Sequence, residues 1–224
     1  PRRMDLPATL FSGTGQGVML ALAALGLYLT VRRAPWGRLR EPAQVNLLLG
    51  FAVGLMLMWS MKAGVKPGLN LHMLGAMAAT LALGPWLGVL ALALALSGVT
   101  LNGALEWTDW PVNFVLMIMV PVGFAHVFQR VVERWLPAHF FIFVFVTGFA
   151  GAALTVMVQG LVASAAMVSA GAYSASFLFD EYLPFFLLVG FSEAWISGAV
   201  ITLMVVYRPG WVAAFDDRRY LIDK

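Results

Sequence analysis

The chain has 224 residues, of which 61% are hydrophobic and 11% charged, with a formal net charge of +3 and a mean hydropathy of +0.86. Soluble domains carry about 25% charged residues, so this composition excludes a soluble globular protein. The absence of cysteine excludes disulfides, thiolate metal sites and a cysteine nucleophile. A pI near 9.5 does not call for nucleic acid, because the basic residues lie in short loops between apolar runs.

Those runs come close to the roughly 20 residues that a helix needs to cross the hydrocarbon core. They predict an all-α, polytopic transmembrane bundle of about seven membrane segments, built as one integral membrane domain over 1–224. In chain order the segments are 14–31, 44–63, 69–83, 86–103, 112–130, 139–167 and 183–207. The third is short and ends at Gly84-Pro85, which suits a helix whose first turn carries proline. The sixth is long enough to tilt or to project into solvent. No cleavable signal is expected, since the first apolar run continues into further spans.

Lysine and arginine set the orientation. With the N-terminal segment 1–13 outside, Arg32, Arg33, Arg38, Arg40, Arg130, Arg134, Arg208, Arg218, Arg219 and Lys224 face the cytoplasm, the last four around and within a tail at 208–224. Arg2, Arg3, Lys62 and Lys66 face outward. Ten against four favours a cytoplasmic C-terminus, and the expected location is the cell inner (plasma) membrane. Trp36, Trp135, Trp107 and Trp110 read as belt residues. Glu106 and Asp109 read as a solvated outer loop.

His72 carries most of the functional question. It follows Pro67-Gly68, a turn signal, and Asn70, a candidate N-cap, which puts it in the first turn of an outward-facing helix. The positive end of a helix disfavours imidazolium and leaves the ring neutral and able to ligate. Gly75, Ala76 and Ala79 would share its face and admit a close neighbour. An interfacial histidine on a packed helix is the other reading.

The stretch Met58–Gly68, then Leu71-His72-Met73-Leu74-Gly75-Ala76 and Leu83-Gly84-Pro85-Trp86, resembles the CbiM/NikM family. These are the substrate-binding membrane components of energy-coupling factor transporters for cobalt and nickel. The resemblance continues at Asn113, which matches an asparagine in the loop covering that family's metal site, and at Val189–Ser197, similar to its Ile-Gly-x-Gly-Glu-x-Leu-Ile-Thr run. It implies capture of a nickel or cobalt ion as substrate, His72 as a ligand, and a membrane coupling subunit and cytoplasmic ATPase subunits as partners. The family begins Met-His-Ile-Pro-Asp-Gly-Phe, and its terminal amine and second-residue histidine supply further nitrogen donors, a set suited to nickel(II) and cobalt(II). The corresponding run here is Met4-Asp5-Leu6-Pro7-Ala8-Thr9-Leu10, preceded by Pro1-Arg2-Arg3. Asp5 therefore stands where the histidine belongs, and a carboxylate is a harder ligand than imidazole.

Glu193, deep in the last span, reads either as a structural group hydrogen-bonded to another helix or as a coupling carboxylate. His126 is a candidate partner for it, and His139 reads as interfacial. Met73, Met77, Met117 and Met119 are either packing or thioether ligands, the latter favouring copper(I). Enzyme motifs are absent: there is no phosphate-binding glycine loop with lysine, no His-Glu-x-x-His and no Gly-x-Ser-x-Gly. The chain is thus expected to be no enzyme and to bind no nucleotide or nucleic acid. Its expected surroundings are lipid bilayer and partner subunits. The alternatives are a diverged member serving as an assembly subunit of a membrane complex, and copper handling.

Overall fold

The computed structural model describes residues 6–61, 63–66 and 69–222. Helix α1 (Gly13–Arg33) starts where the Ser12 hydroxyl accepts the N–H of Gly15, a local cap for one of its orphan donors. A 3₁₀ turn at Trp36–Arg40 leads to α2 (Pro42–Ser60). Two short antiparallel strands follow, β1 (Ala63–Lys66) and β2 (Leu69–Leu71), with Ala63 opposite Leu71 and Gly64 opposite Asn70. Next come α3 (Ala76–Leu83) and α4 (Pro85–Leu101). The chain then forms α5 (Trp110–Phe114), α6 (Val120–Trp135), α7 (Gly151–Ser169), the short α8 (Ala175–Glu181) and α9 (Phe185–Tyr207).

Two of these helices are reached through wider turns. A π-helical stretch at Val115–Met119 joins α5 to α6 into one rod, Trp110–Trp135. Pro121 lies just beyond it. Proline offers no N–H to the carbonyl four residues back and crowds it, so the preceding backbone opens. A second π-helical stretch, Ile142–Ala150, leads into α7.

Among the described residues, five helices are long and apolar enough to cross a membrane: Gly13–Arg33, Pro42–Ser60, Trp110–Trp135, Ile142–Ser169 and Phe185–Tyr207. The expected segment 86–103 is the shorter apolar helix α4, and Pro85 opens it as its sequence suggests. The expected segment 69–83 is corrected. Its first residues are strand, and its helix has eight residues, about 12 Å at 1.5 Å per residue against a core of about 30 Å.

Helix α3 is the centre of the bundle. All eight of its residues are buried, and it packs against α4, α6, α7 and α9. Four of the eight are alanines, which lets four neighbours approach closely. A short helix inside a bilayer must also find partners for its end groups. At its C-terminal end, Ala213 and Ala214 donate N–H groups to Ala82 and Leu81 at 2.9 and 3.0 Å. Arg38 Nη1 donates to the Leu83 carbonyl at 2.9 Å and Nη2 to Gln44 Oε1 at 2.9 Å. The outer faces of α1 and α9 carry exposed Leu20, Leu25, Val31, Leu187, Phe191 and Leu203, as lipid contact requires.

Helices α7 and α9 meet over glycines. A Cβ on Gly160 would stand 2.5–2.7 Å from ring carbons of Phe186, and one on Gly198 would strike the Phe149 ring. Gly160→Val should therefore destabilise the protein by about 1–3 kcal/mol, read as a lower thermal unfolding midpoint in detergent. Gly123→Ala on α6, where a Cβ meets nothing within 4 Å, should leave the midpoint unchanged or slightly raised.

Candidate metal site

His72 lies in the segment between β2 and α3. The expectation of Asn70 as N-cap and His72 in a first helical turn is corrected: Asn70 is paired within the strands, and α3 begins only after Gly75. His72 is therefore not in a helical turn, and Gly75, Ala76 and Ala79 do not share a helical face with it. Gly75 is left-handed, with φ of 68°, and a Cβ there would strike Leu55. Only glycine fits both constraints.

The cap that Asn70 does not provide comes from the far end of the sequence. Glu193 on α9, 2% exposed, accepts the N–H of Leu74 through Oε2 and of Gly75 through Oε1, both at 2.8 Å. Ser197, one turn on, donates its hydroxyl to Oε1 at 2.8 Å. Trp59 Nε1 donates to the Leu74 carbonyl at 3.2 Å, and its ring lies 5.4 Å from that of His72. His72 is 8% exposed, and its Nδ1 lies 2.9 Å from the Met73 carbonyl. Donation from Nδ1 to that carbonyl fixes the tautomer in which Nε2 carries the lone pair.

A second set of contacts brings the N-terminal segment to the same place. Asn113 Oδ1 accepts the Leu6 N–H at 3.2 Å, while its Nδ2 donates to the Leu6 carbonyl at 3.0 Å and to the Asp109 carbonyl at 2.9 Å. Asp109 Oδ1 accepts the Ala8 N–H at 2.7 Å. Asn113 thus sits on α5, not in a loop. Asp109 is 2% exposed, which corrects its reading as a solvated residue, whereas Glu106 is exposed. Met4 and Asp5 fall outside the described residues.

Leu6 and His72 line one small cavity with Asn70, Met117, Gln159 and Tyr182. Its volume of about 20 Å³ accommodates one water-sized occupant. Of the four methionines considered as thioether ligands, Met117 lines this cavity, while Met77 is enclosed at 3.9 Å from the Thr155 hydroxyl. Among the described residues no three His, Asp or Glu side chains converge. His126 does not pair with Glu193. Its Nδ1 is buried without a hydrogen bond, and the Glu193 oxygens bond Leu74, Gly75 and Ser197. His139 is exposed and accepts the Phe141 N–H at 3.2 Å.

Over residues 5–211 the chain matches the family described as the cobalt uptake substrate-specific transmembrane region, CbiM. The chain belongs to the CbiM family. With five apolar helices of membrane-crossing length, this CbiM protein is a multi-pass membrane protein. Two solved structures share its fold. A truncated transition metal transporter is 17% identical, with a TM-score of 0.79 over 91% of this chain and 99% of that one. A second transition metal transporter is 17% identical, with a TM-score of 0.75 over 90% and 92%. No curated protein sequence matches the chain.

Sequence reasoning passed over Gln159 and misread Asp109. Gln159 had a legible signal as the one amide in the apolar stretch Ile142–Ser169. Asp109 had none, because its partner is a backbone N–H about a hundred residues away. Glu193→Gln replaces one acceptor oxygen with a donor facing an N–H. It should cost about 1.5–3 kcal/mol, seen as a lower unfolding midpoint in detergent. Ser197→Ala, which leaves both backbone bonds in place, should cost about 1 kcal/mol.

Proposed function

We propose that this CbiM protein is the membrane-embedded capture component of an energy-coupling factor type transporter, taking up a divalent transition metal ion, cobalt or nickel. The observation that carries this reading is the shared cavity. His72, bonded to the Met73 carbonyl and two residues before the Leu74 peptide that Trp59 and Glu193 fix, lines the same one-ion space as Leu6, the residue directly after Asp5. The family description and the transporters that share the fold support the same cargo class.

In this reading the chain has seven membrane segments, the third made of the short α3 together with the non-helical run that leads into it. The N-terminus faces outward and the C-terminus the cytoplasm, in the cell inner membrane as the charge asymmetry favours. His72 supplies an imidazole nitrogen. Met4 and Asp5, which directly precede the segment clamped at Leu6 by Asn113 and at Ala8 by Asp109, are in this reading the further donors. Asp5 contributes a carboxylate in place of a second imidazole, which moves the preference toward ions that accept oxygen donors. The chain carries no ATP-binding loop of its own, so a membrane coupling subunit and cytoplasmic ATPase subunits drive release.

Titration calorimetry of purified protein with nickel(II) and cobalt(II) tests the proposal. Saturable binding of one ion per chain is expected, lost or weakened at least about tenfold by His72→Ala, the scale of about 1.4 kcal/mol. No saturable binding to the wild type, or binding indifferent to His72→Ala, sinks it. Copurification with a non-transport complex would favour an assembly subunit, the reading that the Asp5 substitution supports. Asn113→Ala should weaken binding and expose residues 6–12 to proteolysis without lowering the unfolding midpoint as far as Glu193→Gln does, because it releases the Leu6 peptide and leaves the Glu193 bonds to Leu74 and Gly75 in place.

A further inference from the structure

Gln159 sits midway along α7, 6% exposed, and lines the His72 cavity. Among the described residues its carboxamide makes no hydrogen bond. Burying an amide without a partner costs about 1–3 kcal/mol, so a bundle that keeps one normally has a use for it. The neighbouring polar groups of α7 differ: the Thr155 hydroxyl is satisfied by the Gly151 carbonyl at 2.7 Å, and Ser164 Oγ is wholly enclosed. The Gln159 amide atoms are not among the wholly enclosed orphans. They border the cavity, whose other walls include Leu6, Leu71, Leu74 and Phe186, none of which has a side-chain hydrogen-bonding group.

We infer that Gln159 is a substrate-facing, specificity-determining residue: its carboxamide oxygen donates to the captured ion from α7, beside the His72 nitrogen. This rests on the reading of the cavity as a metal site. A carboxamide oxygen is a neutral, hard donor, whereas imidazole is an intermediate one. Adding it to nitrogen donors raises the coordination number and moves the site away from a planar nitrogen set, which suits nickel(II), toward a mixed set that suits cobalt(II). The cavity admits one ion or one water, so the oxygen meets the cargo itself.

The test compares cobalt(II) and nickel(II) titrations of wild type, His72→Ala, Gln159→Leu and Gln159→Glu in detergent, with visible absorption of the cobalt(II) forms and unfolding midpoints without metal. Gln159→Leu should weaken cobalt(II) about tenfold and nickel(II) by less. Its cobalt(II) bands should intensify as the coordination number falls, while the metal-free midpoint holds or rises because an unpartnered amide has been removed. Gln159→Glu keeps an oxygen donor and should retain cobalt(II). Gln159→Met, similar in volume, replaces Gln159→Leu if that variant does not fold. Unchanged cobalt(II) affinity and spectrum in the leucine or methionine variant, with binding still dependent on His72, overturns the role of Gln159 alone. Absence of binding to the wild type overturns the metal reading and this inference with it.

Discussion

The N–H groups of Leu74 and Gly75 need an acceptor inside the bundle, and the Glu193 carboxylate supplies both. Without it two donors would be stranded in an environment that offers no water, at several kcal/mol each. A carboxylate in a membrane helix is itself costly. The two requirements cancel: the donors justify the acid, and the acid lets α3 begin at Ala76 and run for only eight residues. Everything at the cavity follows from that exchange. The irregular run from His72 to Gly75 exists because its backbone is satisfied, and His72 is held at its rim because that run is irregular.

The N-terminal segment is attached by a similar logic with different chemistry. Asn113 addresses the Leu6 peptide with both its oxygen and its nitrogen, as a neighbouring strand would, and Asp109 takes the next free N–H at Ala8. A side-chain amide in a helix thus substitutes for a β-ladder. The cavity is therefore assembled from parts far apart in sequence: a docked terminal segment, a loop capped from α9, and the inner face of α7.

Legibility in the sequence followed the range of the interaction. The apolar runs that became α1, α2 and α9, and the start of α4 at Pro85, depend on local hydropathy and local sterics, and they were readable. The strand at Leu69–Leu71 and the late start of α3 were not, because β1 pairing and the Glu193 contact decide them, and neither leaves a periodic trace. Asn70 looks locally like a helix cap, and its pairing with Gly64 on β1 outvotes that preference. The family match was readable from short motifs because those motifs are the contact points themselves: Gly75 is trapped against Leu55 and Glu193 against Gly75. Asp109 had to await coordinates, since a buried acid facing an amide N–H and an exposed acid in a loop are written with the same letter.

Helix α3 also ends on something other than lipid. Leu81 and Ala82 accept N–H groups from Ala214 and Ala213, while Leu74 and Gly75, before the first turn, are fixed by Glu193. The spacing between the C-terminal segment and the His72 cavity is therefore measured out by one rigid, fully buried helix. Bilayers differ in thickness by several ångströms, and long helices such as α1 and α9 answer by changing tilt. The interval spanned by α3 has no lipid contact through which to sense that change, so the protein carries an internal ruler that is independent of the membrane in which it sits.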